Sequence, residues 1–159
     1  MPVLDLAVPH GPRLRLEHLV LDLNGTLAVD GRPEPGIAEA LAALGGVLAC
    51  HIVTADTHGT ARTLASELAA EVIVLEGVEA TGPAKVRVLE RLGASRCAMV
   101  GNGRNDLAAL RLAGLAIAVL GPEGAASDCV AAAHLVCRSG LEALRLLASR
   151  DRLVATLRG

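Results

Sequence analysis

Apolar runs and amphipathic segments alternate along most of the chain, and this alternation predicts its secondary structure. Short continuous apolar runs are typical of strands buried on both faces of a sheet, whereas apolar residues at helical spacing are typical of helices. The predicted strands cover residues 18–23, 47–53, 72–75, 97–100, 115–119 and 134–137. The predicted helices cover residues 37–44, 60–69, 84–92, 106–113, 124–132 and 140–148. This order predicts an α/β fold with a single doubly wound parallel sheet that is covered by helices on both faces.

The segment before the first core strand has a different pattern. Residues 3–8 and 14–16 alternate apolar with polar or small side chains around the turn Pro9-His10-Gly11-Pro12. This pattern predicts an N-terminal β-hairpin, within residues 1–17, that is attached to the core. Because no repeat and no low-complexity linker interrupts the chain, residues 1–159 are interpreted as one domain.

The composition argues against some classes of binding partner. The chain is 52% apolar but has no Phe, Tyr or Trp, which excludes stacking of bases on aromatic side chains. A net charge of −2 predicts no basic surface for nucleic acid or for an anionic membrane. The N-terminus lacks the pattern of a signal peptide, and no apolar stretch approaches the ~20 residues of a spanning helix. Together with four cysteines that lack C-x-x-C spacing, these features predict a cytoplasmic protein with reduced thiols.

Polar residues follow several predicted strands at their carboxyl ends, where ligands bind in doubly wound sheets. Asp22 and Asn24 end the first core strand, and Thr54 ends the next. Lys85 lies near the start of a predicted helix, and Gly101-Asn102-Gly103-Arg104-Asn105-Asp106 follows the strand that ends at Val100. We therefore expect one site at this edge of the sheet.

Each of these residues also has a purely structural interpretation when it is taken alone. Asn24-Gly25 is typical of a turn, Thr54 of a helix N-cap and Lys85 of a solvated helix surface. His58 lies near Thr54, and a surface role is favoured for it over a substrate contact. The turn at residues 121–124 is interpreted as an ordinary connection rather than as a border of the pocket. A shared site is nevertheless favoured, because chance does not place such residues in order at successive strand ends.

The order of these residues resembles a known signature. Asp22-Leu23-Asn24-Gly25-Thr26-Leu27, then Thr54, then Lys85, then the loop 101–106 resemble the four motifs of the haloacid dehalogenase (HAD) superfamily. The first and last motifs look like those of its P-type-ATPase-like and phosphoserine-phosphatase-like branches. The resemblance implies a Rossmann-like core and a Mg²⁺-dependent phosphatase that acts on a phosphorylated substrate through an aspartyl phosphate.

The resemblance also implies roles for individual residues. Asp22 is the expected nucleophile, and Asn24, Thr54 and Lys85 complete the expected catalytic set. The expected phosphate-binding residues are Gly25, Thr54, Ala55, Lys85 and Asn105. The expected metal ligands are Asp22, Asn24 through its main-chain carbonyl, Asn102 and Asp106.

Two residues depart from the family pattern. Asn24 stands where these phosphatases usually have a second Asp as general acid and base, and an amide has no proton that titrates near neutral pH. Asn102 stands where the family has an Asp that binds Mg²⁺. We therefore expect slow hydrolysis or a persistent phosphoenzyme, and weak affinity for Mg²⁺ without phosphate. The alternative is a catalytically degenerate HAD-fold protein that acts as a binding, regulatory or scaffold subunit.

The spacing of the motifs leaves no room for a cap domain. The predicted helices and strands use most of residues 27–53 and 55–84, and what remains is far shorter than an independent domain. An open site suits a large substrate or a neighbouring subunit that covers it, so we expect a homo-oligomer. A receiver-like signalling domain is disfavoured, because here the candidate nucleophile lies on the first core strand.

Overall fold

The structure, a computed structural model, describes residues 2–56, 59–76 and 82–159. The strands, in chain order, are β1 (Leu4–Ala7), β2 (Arg13–Leu16), β3 (His18–Asp22), β4 (Ala28–Val29), β5 (Arg32–Pro33), β6 (Ala49–Thr54), β7 (Glu71–Val74), β8 (Cys97–Gly101), β9 (Leu115–Val119) and β10 (Leu135–Cys137). The helices are α1 (Ile37–Leu44), α2 (Ala61–Glu67), α3 (Gly82–Leu92), α4 (Leu107–Leu112), α5 (Ser127–Ala132), α6 (Gly140–Leu147) and α7 (Arg150–Leu157).

Six of these strands form one parallel sheet in the order β10-β9-β8-β3-β6-β7. The predicted doubly wound α/β fold is thereby confirmed. From the central strand β3 the chain builds β6 and β7 on one side and then returns to build β8, β9 and β10 on the other. The carboxyl end of β3 therefore lies at the point where the strand order reverses, which is the usual ligand position in open α/β sheets.

The two faces of the sheet pack into two aliphatic clusters. Because side chains alternate along a strand, Leu19 and Leu21 of β3 pack on one face and Val20 packs on the other. The first cluster includes residues of the N-terminal hairpin, α1 and α6, and the second includes residues of α3 and α4. This packing buries β3 along its whole length and fixes the position of Asp22 at its end.

The N-terminal hairpin is confirmed, with β1 and β2 antiparallel and Leu4 opposite Leu16. The predicted start of the fifth helix was wrong by three residues, because Gly124 has a left-handed backbone (φ 70°) in a turn and α5 begins only at Ser127. The short hairpin of β4 and β5 and the helix α7 had no counterpart in the sequence prediction. Two-residue strands have no periodicity to detect, and α7 buries only Leu153 fully, so its apolar face is narrow.

Among residues 2–56, 59–76 and 82–159 no separate cap domain is present. The β4–β5 hairpin and α1 lie between the end of β3 and β6, and α2 and β7 lie between β6 and α3. The described residues accordingly leave the carboxyl edge of the sheet open above β3, β6 and β8. None of the helices in the described part of the chain is long and apolar enough to cross a membrane.

Candidate active site

A cleft of about 260 Å³ opens at the carboxyl ends of β3, β6 and β8. It brings together most of the residues that the sequence singled out. Its lining residues are Asp22, Asn24, Thr54, Ala55, Leu75, Lys85, Asn102, Gly103, Asn105 and Glu123. Gly25 and Asp106 are not among them, but Gly25 lies against Glu123 and Asn102, and Asp106 accepts a hydrogen bond from Lys85. His58 lies outside the described residues.

Lys85 joins two carboxylates at the base of the cleft. Its Nζ donates a hydrogen bond to Asp22 Oδ1 at 2.6 Å and another to Asp106 Oδ1 at 2.5 Å. All three side chains are buried, so the solvated role that a single helix lysine suggests does not apply to Lys85. The packing of α3 against the sheet, through Val88 and Leu89, carries Lys85 to this position near the start of the helix.

Burial and the attraction between opposite charges shift the pKa values of Asp22 and Lys85 in opposite directions. Burial raises the pKa of Asp22 to about 6, although the Lys85 ammonium favours the ionised form. Burial alone lowers the pKa of Lys85, but the carboxylates of Asp22 and Asp106 outweigh it and hold that pKa above its ordinary value. At neutral pH the cluster therefore contains a positively charged lysine and an Asp22 that is mainly ionised.

Asp106 holds the loop that follows β8 in addition to its contact with Lys85. Its Oδ2 accepts hydrogen bonds from the main-chain N–H groups of Asn102, at 3.0 Å, and Gly103, at 3.1 Å. The side chain is fully buried, and both of its oxygens have protein partners. Asp106 thus positions Lys85 and Asn102, and its suggested share in binding a metal ion stays a prediction.

Thr26 links the first and last sequence motifs. Its Oγ1 lies 3.5 Å from Asp22 Oδ2 and 3.5 Å from Asn102 Oδ1. Asn102 Nδ2 donates to the main-chain oxygen of Gly124 at 3.1 Å, which leaves Oδ1 facing Thr26. Sequence reasoning did not select Thr26, although it belongs to the first motif.

Thr54 is positioned by the turn that follows β6. Its buried Oγ1 accepts a hydrogen bond from the main-chain N–H of Asp56 at 3.0 Å. Asp56 has a left-handed backbone (φ 53°), and its Oδ1 accepts from the N–H of Ala61 at the start of α2. The turn therefore presents Thr54 and Ala55 at the cleft, where a hydroxyl group is available to an anion.

Gly25 allows two side chains to approach its α-carbon. Its backbone is left-handed (φ 78°), and a β-carbon there would lie 2.5 Å from Glu123 Oε2 and 2.7 Å from Asn102 Nδ2. The interpretation of residues 121–124 as an ordinary connection was wrong, since Glu123 lines the cleft. The available signal was its place just after β9, the strand that neighbours β8.

The oxygen atoms at one end of the cleft fit a hard divalent cation. Asp22 Oδ2 and Asn102 Oδ1 both lie 3.5 Å from Thr26 Oγ1, and Asn24 Oδ1 is buried with no hydrogen-bond partner in the described chain. Mg²⁺ prefers such oxygen ligands and retains several waters. No group of three or more His, Cys, Asp or Glu side chains among the described residues is arranged to hold a metal ion, so amide and main-chain oxygens must contribute.

Several solved protein structures are similar to this chain. A protein of Streptomyces avermitilis described as a HAD family hydrolase is 28% identical, with a TM-score of 0.66 over 85% of this chain and 84% of that one. The 3-deoxy-D-manno-octulosonate 8-phosphate phosphatase of Moraxella catarrhalis, 24% identical, has a TM-score of 0.68 over 90% of this chain and 94% of that one. The catalytic domain of the CPx-ATPase CopB-B is 26% identical, with a TM-score of 0.61 over 75% of this chain and 47% of that one.

A sequence relative and a family model complete the comparison. An uncharacterized protein of Methanocaldococcus jannaschii is 38% identical over 79 residues, which are 47% of this chain and 85% of that protein. The model of the haloacid dehalogenase-like hydrolases matches residues 6–114, a span that contains every residue predicted for the site. The chain belongs to the haloacid dehalogenase-like hydrolases.

Proposed function

We propose that the protein is a Mg²⁺-dependent phosphatase that transfers a phosphoryl group from its substrate to Asp22 and then to water. The observation that carries this proposal is the buried cluster of Asp22, Lys85 and Asp106 at the base of an open cleft. A carboxylate that is buried beside a lysine and a hydroxyl group suits nucleophilic attack on an anionic phosphorus centre.

In the first step an Asp22 carboxylate oxygen attacks phosphorus, and the bond between phosphorus and the leaving oxygen breaks. Lys85 and Thr54 both line the cleft, and we expect their ammonium and hydroxyl groups to contact the phosphoryl oxygens. Their charge and hydrogen bonds stabilise the transition state most effectively where water is excluded. Mg²⁺ held by Asp22, the Asn24 carbonyl and Asn102 would offset the remaining negative charge.

In the second step water attacks the aspartyl phosphate and inorganic phosphate leaves. This step needs a group that removes a proton from water, and Asn24 cannot do so. Loss of a general acid and base commonly lowers the rate by about 10²–10⁴-fold. With a leaving group that needs no acid, such as p-nitrophenolate, the phosphoenzyme therefore accumulates, and hydrolysis limits turnover.

The substrate is a phosphate ester or acyl phosphate whose remaining part extends beyond the cleft. The absence of a cap in the described residues leaves the opening accessible, and a second copy of the chain is the covering element we favour. The Moraxella phosphatase of similar fold is in complex with magnesium ion, phosphate ion and KDO. That complex supports a phosphorylated small molecule as the substrate of this protein but does not identify the molecule.

Release of inorganic phosphate from p-nitrophenyl phosphate tests the proposal. The wild-type protein should release phosphate slowly with Mg²⁺ present, with a rapid first turnover, and should release none after chelation of the metal. Asp22→Asn is the matched control, because it keeps the size of the side chain and removes the nucleophile. Equal release by wild type and Asp22→Asn would contradict the proposal.

The second candidate is a non-catalytic protein that binds a phosphorylated ligand. The two amides at positions 24 and 102, which lack the charge of a carboxylate, favour it. Binding of inorganic phosphate without any dependence on Asp22 and without turnover would distinguish this candidate from the phosphatase.

A further inference from the structure

Glu123 projects over Gly25 from the turn that follows β9. Its Oε2 and Asn102 Nδ2 lie 2.5 and 2.7 Å from the point that a β-carbon of Gly25 would occupy, so the two side chains border the same small space. Glu123 is exposed at the rim of the cleft, and its carboxylate has no hydrogen bond or ion pair with any residue that the structure describes.

The turn that carries Glu123 is built onto Asn102. The main-chain oxygen of Gly124 accepts a hydrogen bond from Asn102 Nδ2 at 3.1 Å, and Ala126 N donates to the Asn102 main-chain oxygen at 2.8 Å. A further bond from Gly124 N to Gly121 O, 2.8 Å long, closes the turn. These bonds fix the backbone of the turn, and with it the α-carbon of Glu123, relative to Asn102.

The charges in the cleft are unbalanced without Glu123. Asp22, Asp106 and Lys85 together carry one net negative charge when all are ionised, and Asn102 adds none. A divalent cation would leave this cluster with one net positive charge before phosphate binds. With the Glu123 carboxylate included, three carboxylates and one ammonium group carry two negative charges, which a divalent cation neutralises.

We propose that Glu123 provides the carboxylate ligand for the divalent cation, directly or through one water molecule, beside the neutral amide of Asn102. This inference rests on the proposed function, because it concerns the cation of the same site. The cation is then bound from the ends of three neighbouring strands, through Asp22 after β3, Asn102 after β8 and Glu123 after β9.

Metal affinity tests this assignment without reference to activity. Binding of Mn²⁺ is followed by electron paramagnetic resonance, and binding of Mg²⁺ by calorimetry, each with and without inorganic phosphate. Glu123→Gln should weaken binding on the order of tenfold or more. Glu90→Gln, on the exposed side of α3, is the matched control and should leave the affinity unchanged.

A conservative variant separates loss of a ligand from disturbance of the turn. Glu123→Asp keeps a carboxylate in the same turn and should retain most of the affinity that Glu123→Gln loses. The assignment would be overturned if Glu123→Gln bound the metal ion as tightly as the wild-type protein and the Glu90→Gln control do.

Phosphorylation of Asp22 is measured in the same samples to keep the two proposals apart. Metal binding that depends on Glu123, in a protein that never becomes phosphorylated, supports the role of Glu123 and contradicts the phosphatase. Phosphorylation of the wild-type protein together with unchanged metal affinity in Glu123→Gln contradicts the role of Glu123 alone.

Discussion

Lys85 Nζ lies 2.6 Å from Asp22 Oδ1, and both side chains are buried at the end of the central strand. A buried ion pair adds little to stability relative to apolar side chains of the same volume, because desolvation offsets the attraction. Its place at the base of a cleft is better explained by chemistry than by stability. Asp106 shares the same ammonium group and has no solvent exposure, so the lysine is held from two sides.

Replacement of Lys85 by Met should destabilise the protein strongly. The change leaves Asp22 and Asp106 buried without their cation, and the loss of one partner of a buried pair costs about 3–5 kcal/mol. The free energy of unfolding in urea, measured near neutral pH, checks this value. Arg87→Met, on the exposed side of the same helix, is the control and should change that free energy by less than about 0.5 kcal/mol.

A double variant that includes Asp106 checks whether unpaired buried charge causes the loss of stability in Lys85→Met. Combining Lys85→Met with Asp106→Asn removes one unpaired charge and should recover part of the lost stability. If Lys85→Met were as stable as Arg87→Met, the ion pair would not have the energetic role described.

Asp22→Asn should stabilise the metal-free protein at neutral pH. The pKa of Asp22 is about 6 in the folded protein against an ordinary value of 3.8, so the folded state binds this proton more tightly than the unfolded chain does. The resulting stability is fully present below pH 3.8 and is lost as the pH rises through about 6. The variant cannot ionise at this position and avoids that loss.

The stability difference between wild type and Asp22→Asn should depend on pH, which distinguishes the effect of the Asp22 charge from a general change in packing. Thermal unfolding midpoints of wild type and Asp22→Asn should differ most above pH 6 and converge as the pH is lowered toward 3.8. A variant that is less stable than wild type across this range would contradict the raised pKa.

Asn24→Asp should raise steady-state turnover. Asn24 Oδ1 is buried and makes no hydrogen bond to another described residue, so an Asp of the same shape breaks no contact there. The new carboxyl group can protonate the leaving oxygen and then activate water, and we expect a gain of about 10²-fold in the release of phosphate. Unchanged turnover with intact phosphorylation would show that position 24 does not limit hydrolysis.

Much of the fold follows from the sequence because the strands are continuous apolar runs. The prediction of residues 115–119 coincides with β9, and that of residues 37–44 coincides with α1. Strand ends differ by a residue or two elsewhere, since apolar side chains continue into the adjacent turns. The order of the strands in the sheet depends on helix crossovers and cannot be read from any single segment.

The site was predictable to the extent that its residues end strands in a recognisable order. Asp22, Thr54 and Asn102 reach the cleft from three adjacent strands, as the parallel sheet requires. Glu123 also follows a strand of the sheet, but an acidic residue in a glycine-rich turn is usually only a solvated charge, so its place after β9 was not enough to select it. Its position depends on hydrogen bonds between the turn and Asn102, which have no signature in the sequence.

The most direct test of the account is to locate the phosphoryl group after a single exposure to acetyl phosphate and Mg²⁺. The reaction is quenched in acid, and the peptides are analysed by mass spectrometry with and without a chelator. We predict one added phosphoryl group on Asp22, present only with the metal ion, absent from Asp22→Asn and longer-lived than in Asn24→Asp. A wild-type protein that acquires no phosphoryl group, or acquires it on a residue other than Asp22, would contradict the account.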